Sequence, residues 1–175
     1  MSKGGNDIRV TPTVRTSAYA NNDVLFNPVE IPNAVATRGG VSILRSFSII
    51  DLSANTLDSG STGAHDFELF FHSTGGIDLG TINAQPDITD ANWVNLNLLG
   101  WRKVSSADWV SNNSSSDSAS HLYTNTSTDN DPAQPMLLKA NDSSTSVFVS
   151  AINGNDAIIY GDSKDLRLII HVEYL

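Results

Sequence analysis

The sequence has no cysteine, little positive charge and no long apolar run. Without cysteine there are no disulfides, thiolate nucleophiles, iron–sulfur clusters or cysteine-ligated zinc sites. Only 10 lysine and arginine residues stand against 19 aspartate and glutamate residues, and the net charge of −9 argues against nucleic acid as a partner. No apolar stretch approaches the roughly 18 residues of a transmembrane helix, so we expect no membrane partner.

Helix signals are also scarce, and the apolar residues recur with the period of two that half-buried strands show. In the C-terminal stretch one face carries Leu166, Leu168, Ile170, Val172 and Tyr174. Residues 67–72 alternate in the same way. The pattern in residues 41–50 places on one face Val41, Ile43, Phe47 and Ile49. Leu44 and Ile50 fall on the other face, so we expect this strand to be buried on both sides.

Further short strands are predicted over residues 136–139, 147–152 and 157–160, and single helical turns over 87–93 and 105–109. Clusters of Gly, Asn, Asp and Ser separate these elements. Short strands divided by such turn sequences predict an all-β fold, either an antiparallel β-sandwich or a barrel.

The segment from Ser105 to Asp131 is unusually polar, because 20 of its 27 residues are Ser, Thr, Asn or Asp. Such a composition buries too little apolar surface to belong to a core, so we predict one long exposed loop. The sequence His121-Leu122-Tyr123 in its middle is either a short strand or a tether onto the body. The candidate exposed surface of this loop consists of Asn112, Asn113, His121 and Tyr123.

Positive charge is concentrated near the N-terminus. Residues 1–45 carry 5 basic and 3 acidic side chains, whereas the remainder of the chain carries 5 and 16. We expect residues 1–175 to form a single domain with residues 1–7 as a flexible arm. Such an arm can dock by adding to the sheet edge of a partner. The candidate docking residues are Lys3, Arg9 and Arg15.

No motif in the sequence indicates catalysis or metal binding. His65 and His72 flank a predicted strand, but a spacing of seven points them to opposite faces, so we expect two solvent-facing histidines and no metal site. The acidic clusters at 129–131 and 156–165 fit turn chemistry better than a calcium loop. No Gly-x-Ser-x-Gly or phosphate-binding loop occurs. We therefore expect no catalytic residues, no cofactor and no enzymatic activity.

Three tryptophans, Trp93, Trp101 and Trp109, recur at intervals of eight. If their rings are exposed, they form a platform on which a carbohydrate stacks. If their rings are packed, they seal the sandwich where it meets the polar segment. We favour the packed alternative, because large aromatic rings contribute most when buried.

A resemblance to a known family covers most of the chain outside residues 105–131. It rests on Tyr19–Phe26, Glu30–Val35, Arg38-Gly39-Gly40, Ile43–Asp51, Phe67–Phe71, Leu79–Ala84, Asp87–Ala91 and Asp165–Ile170. In these stretches the chain resembles a family of small structural proteins of tailed bacteriophages, notably marine ones. Pro28 and Pro32 depart from the pattern of that family.

The resemblance implies a jelly-roll or related β-sandwich that decorates or cements the phage capsid. It implies two partners, the major capsid protein and further copies of the chain in a homotrimer. It also implies a place on the outer surface of the phage head, after synthesis in the bacterial cytoplasm. The alternative is a tail or fibre-associated module that binds host-surface glycan, with the polar segment and the tryptophans forming the site.

Overall fold

A computed structural model describes residues 4–52, 65–111, 121–124, 135–155 and 158–175. In this part of the chain, two antiparallel β-sheets pack face to face and confirm the predicted all-β sandwich. The strands are β1 (Gly5–Val10), β2 (Val24–Ile31), β3 (Val41–Asp51), β4 (Phe67–His72), β5 (Leu98–Val104), β6 (Val110–Ser111), β7 (His121–Thr124), β8 (Met136–Lys139), β9 (Val147–Asn153) and β10 (Leu166–Tyr174).

The strands divide between two sheets, here named sheet I and sheet II. Sheet I runs in the order β1-β10-β3, after which β7 and β8 pair with different halves of the same edge of β3, and β6 pairs with β7. Sheet II runs in the order β2-β9-β4-β5. Most connections between successive strands therefore pass from one sheet to the other. These connections link the two layers.

The core lies between the sheets and follows the alternation in the sequence. Leu166, Leu168, Ile170 and Val172 of β10 are buried, as predicted, and so are Phe67, Leu69 and Phe71 of β4. Strand β9 lies between β2 and β4, as expected for its nearly continuous apolar run. These inward side chains supply the hydrophobic burial that holds the sandwich together.

The predicted faces of β3 are wrong at its N-terminal end. Leu44 is buried, with Phe47 and Ile49, whereas Val41 and Ile43 are only partly buried on the opposite face. The register explains the difference. His171 pairs with Ser46, whereas the next residue, Val172, pairs with Leu44, so Arg45 has no partner position in β10. Arg45 is thus the extra residue of a β-bulge, which shifts the alternation by one.

The expected flexible arm over residues 1–7 is also wrong for residues 5–7. Gly5 pairs with Glu173 and Asp7 pairs with His171, so the N-terminal strand adds to the edge of this chain's own sheet I. Strand β1 ends at Val10, two residues before Pro12, which has no N–H to donate to a ladder.

The polar segment is not one continuous loop. Its described residues include a 3₁₀ turn over Ser106–Asp108, capped by Ser105, and the strands β6 and β7. β7 pairs with residues 48–51 of β3, which confirms the strand alternative for His121-Leu122-Tyr123. The predicted strand over 157–160 is wrong, because Ile158 makes only an isolated bridge with Tyr19.

Residues 73–97 cross the outer face of sheet II and include the predicted helical turn, α1 (Asp90–Asn95), which Thr89 caps. A second apolar cluster forms beneath this segment. It consists of Val24, Leu79 and Leu96, with Phe70, Ile77, Ile82, Ile88, Trp93 and Ile152 packed against them. At Gly75 the covering is so close that a methyl group would overlap the Phe148 ring. In the described residues no helix is long and apolar enough to cross a membrane.

Candidate functional site

The outer face of sheet I differs from that of sheet II, because no segment in the described part of the chain crosses it. Its side chains alternate with the buried residues of β1, β10, β3 and β8. We name this set the sheet I face, and it consists of Asp7, Arg9, Val41, Ile43, Ile50, Leu137, Lys139, Arg167, Ile169, His171 and Glu173. It therefore mixes aliphatic and charged groups across adjacent strands.

The most exposed aliphatic side chain of the sheet I face is Leu137. It is 58% exposed and lies directly opposite Ile43, which is itself only partly buried. Directly opposite residues in an antiparallel pair have close Cβ atoms, so the two side chains form one apolar patch. Burial of this patch against another surface would be favourable at about 25 cal/mol for each Å² of apolar area removed from water.

Charged groups lie on the strands next to this patch. Nδ1 of His171 lies 2.7 Å from Oδ1 of Asp7, its direct cross-strand neighbour. Arg45, the bulge residue, makes an ion pair with Glu173. Exposed pairs of this kind contribute only about 0–1 kcal/mol to stability, so their main effect is to set the charge pattern of the face.

The three predicted docking residues have different outcomes. Arg9 is exposed on the sheet I face, opposite Ile169. Arg15 is exposed beyond the end of β1, and its backbone N–H donates to the hydroxyl of Tyr19 at 2.6 Å. Lys3 lies outside the described residues. The structure thus places Arg9 on a face with aliphatic neighbours, and the docking role of all three residues stays a prediction.

The predicted loop surface is divided in the same way. Asn112 and Asn113 lie outside the described residues. His121 and Tyr123 belong to β7, where they pair with Asp51 and Ile49 of β3. The structure therefore places two of the four residues in an edge strand of sheet I, and not in a loop.

The prediction of solvent-facing histidines is wrong, because His65 and His72 are both buried. Their side chains nevertheless point to opposite sides of sheet II. His65 joins the core between the sheets. His72 lies beneath residues 73–97, here named the covering segment, with its ring stacked on Phe148. The odd spacing identified the opposite orientations, but it could not reveal that residues 73–97 cover the outer face.

His65 belongs to a buried polar cluster. Its Nε2 lies 3.2 Å from Oδ2 of Asp51 and 3.0 Å from the hydroxyl of Tyr160. Burial, reinforced by the nearby Asp51 carboxylate, raises the pKa of Tyr160 well above its usual value. Since Nδ1 of His65 has no hydrogen-bond partner within the described ranges, the tautomer with its proton on Nε2 fits best. The cluster links the end of β3 to the residues that precede β4 and β10.

The second buried histidine is held as a neutral ring. Nδ1 of His72 donates to the carbonyl of Thr74 at 2.7 Å, and its Nε2 accepts from the hydroxyl of Ser150 at 3.2 Å. Burial lowers the pKa of His72, and the hydrogen bond to Thr74 offsets this only in part. This ring therefore fastens the covering segment to the outer face of sheet II.

The tryptophans do not form one platform. Trp109 packs on His65 with ring centroids 5.6 Å apart, and its indole N–H donates to the His65 carbonyl at 3.1 Å. Trp93 packs on Phe70 beneath the covering segment. Trp101 of β5 lies opposite Phe70 and is 49% exposed. The packed alternative is confirmed for Trp109, whereas Trp101 presents its ring to solvent.

A cavity of about 340 Å³ opens on the flank of the sandwich, where the start of β5 approaches the residues that follow β8. Its lining includes Ser73, Asn97, Leu98, Lys139, Asn141 and Asp142. No group of three His, Asp or Glu side chains within the described ranges is placed to hold a metal ion.

Comparison with known proteins adds no identification. No protein-family model matches the chain, and no curated protein matches its sequence. The resemblance to phage structural proteins therefore stays a prediction.

Proposed function

We propose that the chain is a non-enzymatic structural protein of a bacteriophage virion, a jelly roll that decorates or cements the outer surface of the head. The strand order supports the jelly-roll assignment. With β6 and β7 set aside, the sheets read β1-β10-β3-β8 and β2-β9-β4-β5. Two four-stranded sheets are what an eight-stranded double-sheet jelly roll requires, and viral capsid and lectin domains use that fold.

The observation that carries the docking proposal is the difference between the two outer faces. Residues 73–97 cover the face of sheet II with an apolar cluster of their own, whereas the described residues leave the sheet I face uncovered. That face presents Leu137 and partly buried isoleucines between charged side chains. An apolar centre with a polar rim is the usual composition of a protein interface.

The proposed partner of the sheet I face is the shell formed by the major capsid protein, to which the chain binds together with further copies of itself as a homotrimer. Each exposed ion pair contributes little, but a trimer binds through three equivalent surfaces at once. Linked weak contacts of this kind raise the overall affinity by orders of magnitude when the geometry allows simultaneous binding. Arg9 adds a salt-dependent term at the edge of the face.

The test uses phage particles that lack the chain, to which purified protein is added across a series of salt concentrations. Leu137→Asp should reduce occupancy strongly at every salt concentration, because the substitution places a carboxylate in the apolar patch that Leu137 forms with Ile43. Arg9→Ser should reduce occupancy mainly at low salt. The matched control is Val94→Asp, which changes a 76% exposed valine of α1 on the opposite side of the sandwich.

Sedimentation equilibrium of the same variants separates the two partners. A monomeric Leu137→Asp variant would assign the face to contacts between copies, whereas a trimer that fails to bind would assign it to the shell. Wild-type occupancy of both Leu137→Asp and Arg9→Ser at all salt concentrations would contradict the proposal.

A further inference from the structure

The flank cavity combines a ligand-sized volume with a mostly polar lining. Its volume of about 340 Å³ is within the range of small-molecule sites. Asn97 supplies a side-chain carbonyl oxygen, because its amide N–H groups donate to Thr74 and Asn95. Asn141 supplies a side-chain amide, Asp142 a carboxylate and Lys139 an ammonium group. The two charged groups have opposite signs, so the lining as a whole attracts neither anions nor cations strongly.

An exposed aromatic ring lies further along the same strand, β5, that contributes Leu98 to the cavity. Leu98 lines the cavity and pairs with His72, whereas Trp101 pairs with Phe70, two residues before His72 in β4. The register irregularity of β5 between these pairs keeps Leu98 and Trp101 on the same outer face of sheet II. Both side chains are close to half exposed, at 44% and 49%. Trp101 thus shares an outer face with Leu98, which itself belongs to the cavity lining.

Hydrogen bonds hold the polar lining in place. The carbonyl of Asn97 accepts from the backbone N–H of Ser73 at 3.2 Å, and its side-chain amide donates to the hydroxyl of Thr74 at 3.2 Å. On the other side, the carbonyl of Asn141 accepts from the N–H of Ser144 at 2.8 Å, which closes a tight turn around Asp142. Groups fixed before binding lose less conformational entropy when a ligand arrives.

We propose that the cavity and the Trp101 ring together form a binding site for a neutral saccharide. A pyranose ring has an apolar face of C–H groups, which would stack on the indole, and a rim of hydroxyl groups, which would pair with the amides and the carboxylate. An apolar peptide would leave the polar lining unsatisfied. The single lysine and the net charge of −9 disfavour nucleic acid. The inference goes beyond the structural role, since it gives a virion protein a means of adhesion.

The test measures binding of the full chain to an array of bacterial surface oligosaccharides and of common mono- and disaccharides. Saccharides that bind are then titrated in solution by calorimetry and tryptophan fluorescence. Trp101→Ala and Asp142→Asn should each weaken binding by about tenfold or more. Trp101→Phe should recover part of the affinity, because it keeps an aromatic face. Ile159→Ala, which changes a 41% exposed aliphatic residue outside both the cavity and the sheet I face, should bind as the wild type does.

Three results would overturn the proposal. The first is that no saccharide binds. The second is that a saccharide binds equally well to Trp101→Ala and Asp142→Asn, which would place its site elsewhere. The third is that the chain binds an apolar peptide and no saccharide, and that Trp101→Ala abolishes the peptide binding. Particle occupancy of Trp101→Ala should stay unchanged, so failure of the saccharide site is distinguishable from failure of the docking proposal.

Discussion

Nε2 of His65 lies 3.2 Å from Oδ2 of Asp51, and neither side chain is more than 1% exposed. A carboxylate and an imidazole are thus enclosed together at one end of the sandwich. Mutual contact, the Tyr160 hydroxyl and the packing of Trp109 offset their burial in part, while Nδ1 of His65 has no hydrogen-bond partner among the described residues. Removal of either partner would leave the other in a site from which water is excluded.

Asp51→Ala should therefore lower the free energy of unfolding by about 1–3 kcal/mol, because it removes an acceptor that faces the buried His65 N–H. The matched control is Asp7→Ala, which breaks the exposed contact with His171 and should cost no more than about 1 kcal/mol. Urea unfolding with comparison of midpoints and slopes measures both values. Equal small losses in the two variants would show that the buried cluster does not contribute as described.

Ile170→Asp should prevent stable folding, because the side chain is fully buried between the sheets with Leu168 and Val172. An unpaired carboxylate in that position costs several kcal/mol. Arg167→Asp changes an exposed residue of the same strand and should fold normally. Circular dichroism and thermal unfolding compare the two proteins. A cooperative transition at the wild-type temperature in Ile170→Asp would contradict the assignment of the faces of β10.

Stability should fall in mildly acidic solution because of His72. Burial lowers its pKa in the folded protein, so at a pH just below about 6.5 the unfolded chain binds more protons than the folded chain. The free energy of unfolding therefore decreases as the pH falls through this range. His72→Gln should show a shallower decrease between neutral pH and about pH 5 than the wild type. Parallel curves for the two proteins would contradict this account.

Alkaline solution should also destabilise the protein, through two buried tyrosines. Burial raises the pKa of Tyr19 to about 12, and the pKa of Tyr160 is raised as well. The unfolded chain loses these protons near pH 10, so stability falls as the pH rises above about 10. Tyrosinate absorbance should show that both groups titrate only together with unfolding. Titration of all tyrosines near pH 10 in the folded protein would be the contrary result.

Much of the sandwich could be predicted from the sequence, because inward residues recur every second position in β10 and β4. The faces of β3 could not, since a bulge at Arg45 leaves no mark in a pattern of apolar and polar residues. The burial of His65 and His72 was missed because it depends on residues distant in sequence, namely Asp51, Tyr160 and the covering segment. The candidate saccharide site lay outside any sequence motif, since its lining comes from three separate stretches of the chain.

The number of copies of this chain in each purified phage particle tests the central claim most directly. Quantitative mass spectrometry of intact particles, with the major capsid protein as the internal standard, supplies that number. A decorating or cementing protein should be present in many copies, at a fixed simple ratio to the capsid subunits. A few copies per particle would contradict the account, since they would place the chain at the tail or at a single vertex.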